Sequence, residues 1–94
     1  MEINDIRIEY EAANLRAAAY DGEKRVGTCS YREDGGKWIL DHTVVLPSHG
    51  GRGIARSLVL TIVAQAREQG KKIVPVCSYA VKVLSDSQFQ DVVA

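Results

Sequence analysis

The stretch HGGRGIARSLVLTIVAQAREQG, from His49 to Gly70, decides how the chain is read. Gly50, Gly51 and Gly53 surround Arg52, and from there apolar residues recur at three- and four-residue steps: Ile54, Ala55, Leu58, Val59, Ile62 and Ala66. Arg56, Arg67 and Glu68 lie mostly off that stripe, so the pattern predicts an amphipathic helix packed on an apolar surface. Gly70 is the expected left-handed stop, with Arg67, Lys71 and Lys72 near the negative helix end. At about 1.5 Å per residue the helix spans roughly 25 Å, the depth of a small domain.

Upstream, the period is that of strands. Ile6 to Glu11 alternates apolar with charged residues, a second strand is expected over Leu15 to Tyr20, and Asp21-Gly22 turns the chain into a third over Arg25 to Arg32. Asp34-Gly35-Gly36 marks the next turn, giving an antiparallel meander. The fourth strand, Lys37 to Leu46, carries Trp38, Ile39, Leu40, Val44, Val45 and Leu46. It reads as apolar on both faces, as a central strand covered on both sides would be. Pro47 ends it.

Downstream, Ile73-Val74-Pro75-Val76 reads as a short buried strand. It follows a strand and a crossover helix, so it is expected to lie parallel to the fourth strand. The tail from Ser78 to Val93 suggests one or two short helices, with Ser78 the N-cap candidate. The expected architecture is α+β: a mostly antiparallel sheet of about five strands, one long helix across it, and short C-terminal helices.

Ninety-four residues suit a single domain, here expected to span 1–94. Twelve basic and twelve acidic residues cancel, so no broad attraction to nucleic acid or to an anionic membrane is available, and any ligand must be captured locally. Cys29 and Cys77 are the two cysteines. With no stretch resembling a secretory leader or a long apolar span, a reducing compartment, the cytoplasm, is expected. Cys29, His42, His49 and Cys77 are single and scattered, so no metal site is expected.

Strand, glycine-rich turn and helix together make a device for holding phosphate. Glycines allow positive φ and close approach, successive N–H groups point into one concavity, and the free amides of the first helical turn add partial positive charge. Arg52 adds a full charge. Neither G-x-x-x-x-G-K-[ST] nor G-x-G-x-x-G is matched. A turn that merely starts a helix would use the same residues, and the spacing leaves both readings open.

The run Pro47 to Val59 resembles the pyrophosphate loop of the GNAT acetyltransferase superfamily, Arg/Gln-x-x-Gly-x-Gly/Ala after a strand and before a long helix. Gly53, Ile54 and Ala55 match, while Gly50 stands where Arg or Gln is usual. Asp21-Gly22, His42-Thr43-x-Val45 and Lys71-x-Ile73-Val74-Pro75-x-Cys77 extend the likeness to a subfamily of very short GNAT-like proteins. The resemblance implies an acetyl-CoA-dependent N-acetyltransferase, or a non-catalytic acyl-CoA binder that kept the cradle. It implies acyl-CoA in a cleft between the fourth and fifth strands, pantetheine on the backbone near Val44 and Val45, and phosphates on Gly50, Gly51, Arg52, Gly53, Ile54 and Ala55.

Acetyl transfer needs a neutral amine, a polarised thioester and a proton acceptor. His42 is a candidate base because its ordinary pKa of about 6.5 lies near working pH; a structural strand histidine is the alternative. Cys77, after the fifth strand and ahead of a helix start, is a candidate nucleophile or else a small packing residue. His49 reads as a loop residue facing water and Cys29 as core. Larger GNAT enzymes place a tyrosine acid where Val83 falls here, with Tyr79 one turn earlier, and Asp86-Ser87 replaces the His-Pro usual in the short relatives. Glu11 to Leu15 leaves room only for a turn where fuller GNAT domains insert helices. An open acceptor groove is therefore expected, suited to an amine of a peptide, a protein or a small polyamine.

Overall fold

A computed structural model describes residues 6–94; the first five residues of the expected 1–94 domain lie outside it. Strands β1 (Ile6–Glu11), β2 (Arg16–Asp21), β3 (Lys24–Asp34) and β4 (Lys37–Val45) form an antiparallel meander, and β5 (Lys72–Pro75) joins β4 in parallel. The sheet order follows the chain, β1-β2-β3-β4-β5. Helix α1 (Ile54–Gln69) makes the crossover, and α2 (Ser78–Leu84) with a 3-10 turn (Ser87–Phe89) completes the chain. The architecture is the α+β arrangement expected.

Alternation builds the sheet. Ile6, Ile8 and Tyr10 pack toward the core, and Arg7 and Glu9 between them are exposed, because successive strand side chains point to opposite faces. Across the ladders the same face carries Ala17, Ala19, Cys29, Tyr31, Trp38 and Leu40, all buried. Trp38 stacks on Tyr31 at 4.2 Å between ring centroids. Against this face α1 lays Leu58, Val59, Ile62 and Ala66 of the predicted stripe and also Val63, while the predicted Ala55 is only half-buried. Gly70 caps the helix at φ 70°, and the amides of Gly70 and Lys71 close on Arg67 O and Ala66 O.

Three local readings change. Leu15 is not in β2; it holds a left-handed conformation (φ 52°) that ends a 3-10 turn, Ala12–Asn14, between β1 and β2. The N-cap of α2 is Cys77, not Ser78: its Sγ accepts from Ala80 N. And β4 is not covered on both sides throughout. Trp38 and Leu40, on the face that α1 covers, are buried, but Val44, on the face away from α1, is 56% exposed; along the edge, β5 accompanies only the first half of the strand.

Candidate functional site

The phosphate cradle is a matter of counting amides. After β4 a 3-10 turn (Pro47–His49) leads to Gly50, whose N–H donates to Pro47 O at 3.2 Å. Ser57 N donates to Gly53 O at 3.1 Å, the first bond of α1. Between them, among the described residues, the amides of Gly51, Arg52, Gly53, Ile54, Ala55 and Arg56 meet no acceptor. Four such orphans are the rule at any helix start; here Gly51 and Arg52 lengthen the row. Gly50 thus supplies shape rather than a donor.

Gly51 and Gly53 both sit at φ 77°, the left-handed region that costs a side-chain-bearing residue about 1–2 kcal/mol. A Cβ built on either would find nothing within 4 Å, so space lies open above the row. Ile54 is buried and offers only its backbone. Arg52 and Arg56 are exposed, and neither is ion-paired among the described residues. Partial charges at the helix start and two free guanidiniums make this corner favourable for an anion. Beside it, a cavity of about 350 Å³ is lined by Arg56, Tyr79, Lys82, Val83, Ser85 and Asp86.

The cleft begins where β4 and β5 part. Their pairing ends at Leu40 with Pro75. Leu40 O then accepts both Val76 N (2.9 Å) and Cys77 N (3.2 Å), and the chain turns away into α2. From Asp41 to Val45, β4 is paired with β3 alone. Leu46 N donates to Val26 O at 2.8 Å, and an antiparallel ladder alternates. His42 and Val44 therefore turn their backbone groups to β3, and Thr43 and Val45 present theirs to the open edge. Of the two residues expected to meet pantetheine, Val45 has its backbone on the open edge and Val44 has its own turned to β3.

His42 and Cys77 are not brought together. Thr43 Oγ1 lies 3.3 Å from Cys77 Sγ and donates to Cys29 Sγ at 3.5 Å, so Thr43 faces the helix side. His42, its neighbour, faces the other. The His42 side chain is 71% exposed, with Nδ1 3.2 Å from Asp41 Oδ1, while Arg32 Nε donates to Asp41 Oδ2 at 3.1 Å. Partial burial opposes ionisation of Asp41, but the hydrogen bonds from Arg32 and His42 outweigh it and hold the carboxyl below its usual range. Asp41, the bulge residue at the register shift, is a candidate site residue that sequence reasoning missed; its position next to a candidate base was the available signal.

Cys77 is partly exposed, with its sulfur fixed between Thr43 and the Ala80 amide. Burial pushes the Cys29 thiol up to about 11, which leaves it a core residue as read. His49 overturns its reading: it is buried, between Ser48 and Asp21. Val83 is buried and Tyr79 packs at the cluster's margin. Among the described residues no three His, Cys, Asp or Glu side chains cluster as metal ligands, and no helix is long and apolar enough to cross a membrane.

Residues 16–92 match the model of the GCN5-related N-acetyl-transferase family. A GCN5-like protein of Staphylococcus aureus shares 28% identity over 98% of this chain and 91% of its own, with a TM-score of 0.76. The ribosomal-protein-S18-alanine N-acetyltransferase of Escherichia coli shares the fold at 14% identity and TM-score 0.65, over 79% of this chain and 54% of its own. So does the PaiA N-acetyltransferase of Thermoplasma acidophilum, solved in complex with coenzyme A, at 18% identity and TM-score 0.57, over 61% and 36% of the two chains. No functionally curated protein matches significantly.

Proposed function

The chain belongs to the GCN5-related N-acetyltransferase family, and from that premise we propose that it moves an acetyl group from acetyl-CoA to an amine offered by a peptide, a protein or a small polyamine. The observation that carries this is the row of acceptorless amides from Gly51 to Arg56 beside a strand edge left open from Asp41 onward. A diphosphate needs the first, and an extended amide-bearing arm needs the second. The positive φ of Gly51 and Gly53 and the open space above them fit such a group.

Bound acetyl-CoA supplies an acetyl thioester. The amides of Gly51 to Arg56, with Arg52 and Arg56, hold the diphosphate, and the backbone of Thr43 and Val45 pairs with the pantetheine amides. The acceptor comes from the face on which α1 does not lie, because the three-residue turn Ala12–Asn14 replaces any helix there. On that face stands His42, Nδ1 fixed by Asp41 and Nε2 free to take the proton that the amine nitrogen loses as its bond to the acetyl carbon forms. The thioester C–S bond breaks, its electron pair leaves on the CoA sulfur, and that sulfur takes up a proton and departs as the free thiol. Cys77, on the α1 side of β4 with its sulfur beside Thr43 Oγ1, is the candidate for a transient acyl acceptor, which would take the acetyl group as the CoA thiolate leaves and pass it on to the amine. Two unbridged cysteines suit the cytoplasm.

The second reading, an acyl-CoA-binding module without turnover, is favoured by Val83, buried where a tyrosine acid would stand. A CoA titration followed by backbone NMR tests what the two readings share: the amides of 51–56, Thr43 and Val45 should shift. Release of free thiol from acetyl-CoA in the presence of amines separates them, since only turnover produces it. No shift in those amides would remove both; thiol release that survives His42→Ala combined with Cys77→Ala would remove the site assignment.

A further inference from the structure

His49 plays no part in the chemistry above, yet it is 9% exposed, the one polar residue of the described core. Its Nε2 stands 2.9 Å from Asp21 Oδ2 and its Nδ1 2.8 Å from Ser48 Oγ. A carboxylate only accepts, so Nε2 carries a hydrogen and donates it; in the neutral ring Nδ1 then accepts from the Ser48 hydroxyl. Asp21 ends β2 at the tight turn into β3, with Gly22 at φ 64°. The imidazole therefore ties that hairpin turn to the segment just before the first free amide, across 28 residues of sequence.

We propose that His49 is a positioning residue for the diphosphate cradle, a clamp through Asp21 that fixes where the amides of Gly51 to Arg56 point. This rests on the CoA reading above. Three glycines in four positions, Gly50, Gly51 and Gly53 around Arg52, make a segment with much backbone freedom to lose on binding, because glycine loses more than any other residue. The bonds His49 N to Leu46 O (2.9 Å) and Gly50 N to Pro47 O (3.2 Å) shape the turn internally but attach it to nothing else. Among the described residues, His49 is the one side chain of 47–53 that bonds outside this segment. Fixing the turn before ligand arrives removes part of the ordering cost of binding.

Calorimetry of the full chain with CoA, on wild type, His49→Ala, His49→Gln, Asp21→Ala and the double alanine variant, tests it. Each alanine change should weaken CoA about tenfold, as loss of a supporting partner does at other preorganised sites. The double variant should be no weaker than either single one, because both remove the same bond. His49→Gln, which keeps a side-chain N–H, should recover part of the loss. In turnover with acetyl-CoA the loss should fall on KM, with kcat within about twofold. Asp21 is 46% exposed on its side chain, so Asp21→Ala remains informative even where His49→Ala misfolds. Wild-type affinity retained by His49→Ala and Asp21→Ala overturns the clamp and leaves the CoA reading standing. Absence of heat from wild type overturns the CoA reading and the role of His49 with it.

Discussion

The two halves of β4, Lys-Trp-Ile-Leu and then Asp-His-Thr-Val-Val, differ in their residues and in what borders them. Lys37–Leu40 runs between β3 and β5, and its Trp38 and Leu40 are sealed beneath α1. Asp41–Val45 keeps β3 but has no strand on its other side, and Val44 in it is more than half exposed. Edge and face are separate conditions: Val44 is exposed because it lies on the face away from α1, and the edge of Asp41–Val45 is open because β5 has left it. The change occurs at one carbonyl, Leu40 O, which takes two amides from the departing chain and so ends the ladder. The closed half carries stability, and the open half is where the proposed site lies.

The sharpest way to break that division is through His42. If the open half serves chemistry, His42→Ala should lower kcat by about 10²- to 10⁴-fold, the usual worth of a general base. Stability in urea should move by no more than about 0.5 kcal/mol, as for an exposed side chain. A variant that loses stability while keeping its turnover would make His42 a structural strand residue and hand the site to other groups.

The reverse experiment belongs to the closed half. Leu40 is fully buried, so Leu40→Ala should cost about 2–5 kcal/mol, transfer and cavity together. Val44→Ala, a similar truncation four residues on, should cost less than about 0.5 kcal/mol. Equal costs in chemical denaturation would mean that the face of β4 away from α1 is covered in solution.

Much of the fold around β4 is legible in sequence, though the division within it is not. Alternation in Ile6–Glu11, the turns at Asp21-Gly22 and Asp34-Gly35-Gly36, and the stripe ending at Gly70 each mark local structure through residues a few positions apart. What stays hidden depends on partners far along the chain. The burial of His49 is decided by Asp21, and the end of the β4–β5 ladder by where Cys77 turns into α2. That cap was itself obscured because a thiol is not among the usual N-cap side chains, and Ser78 beside it is. For the cradle, residue types suggest that amides could be free, but only geometry tells that Gly50 spends its own on Pro47.

An open edge is not an open face, and Cys29 sharpens the point. It pairs with Thr43 in the open half, yet it is fully buried and its thiol is pushed up to about 11 from an ordinary 9.0. In the unfolded chain the proton leaves near 9, while in the folded protein it stays until about 11. The contribution is whole below pH 9 and is lost as pH rises toward 11, by about 2–3 kcal/mol. Denaturation across that range should show the fall, and Cys29→Ala should flatten it. Alkylation of the native protein should modify Cys77 well before Cys29. Equal labelling of the two would mean that the helix face of the open half admits solvent.

The smallest effect separates shape from contact in the cradle. At Gly53 an added Cβ meets nothing within 4 Å, so Gly53→Ala introduces no clash and its cost is conformational. Holding alanine at φ 77° should remove about 1–2 kcal/mol of stability. Gly50, at φ −69° with only Pro47 O near at 3.6 Å, already has a backbone that alanine adopts readily, and a Gly→Ala change at a compatible position gains about 0.4–1 kcal/mol through the unfolded chain. The two substitutions should therefore shift the thermal midpoint in opposite directions. They should differ in CoA binding as well, since Gly53→Ala relaxes the turn that aims the neighbouring amides and Gly50→Ala leaves it alone. If both behave alike, the left-handed turn at Gly53 is incidental and the amide row is an ordinary helix start.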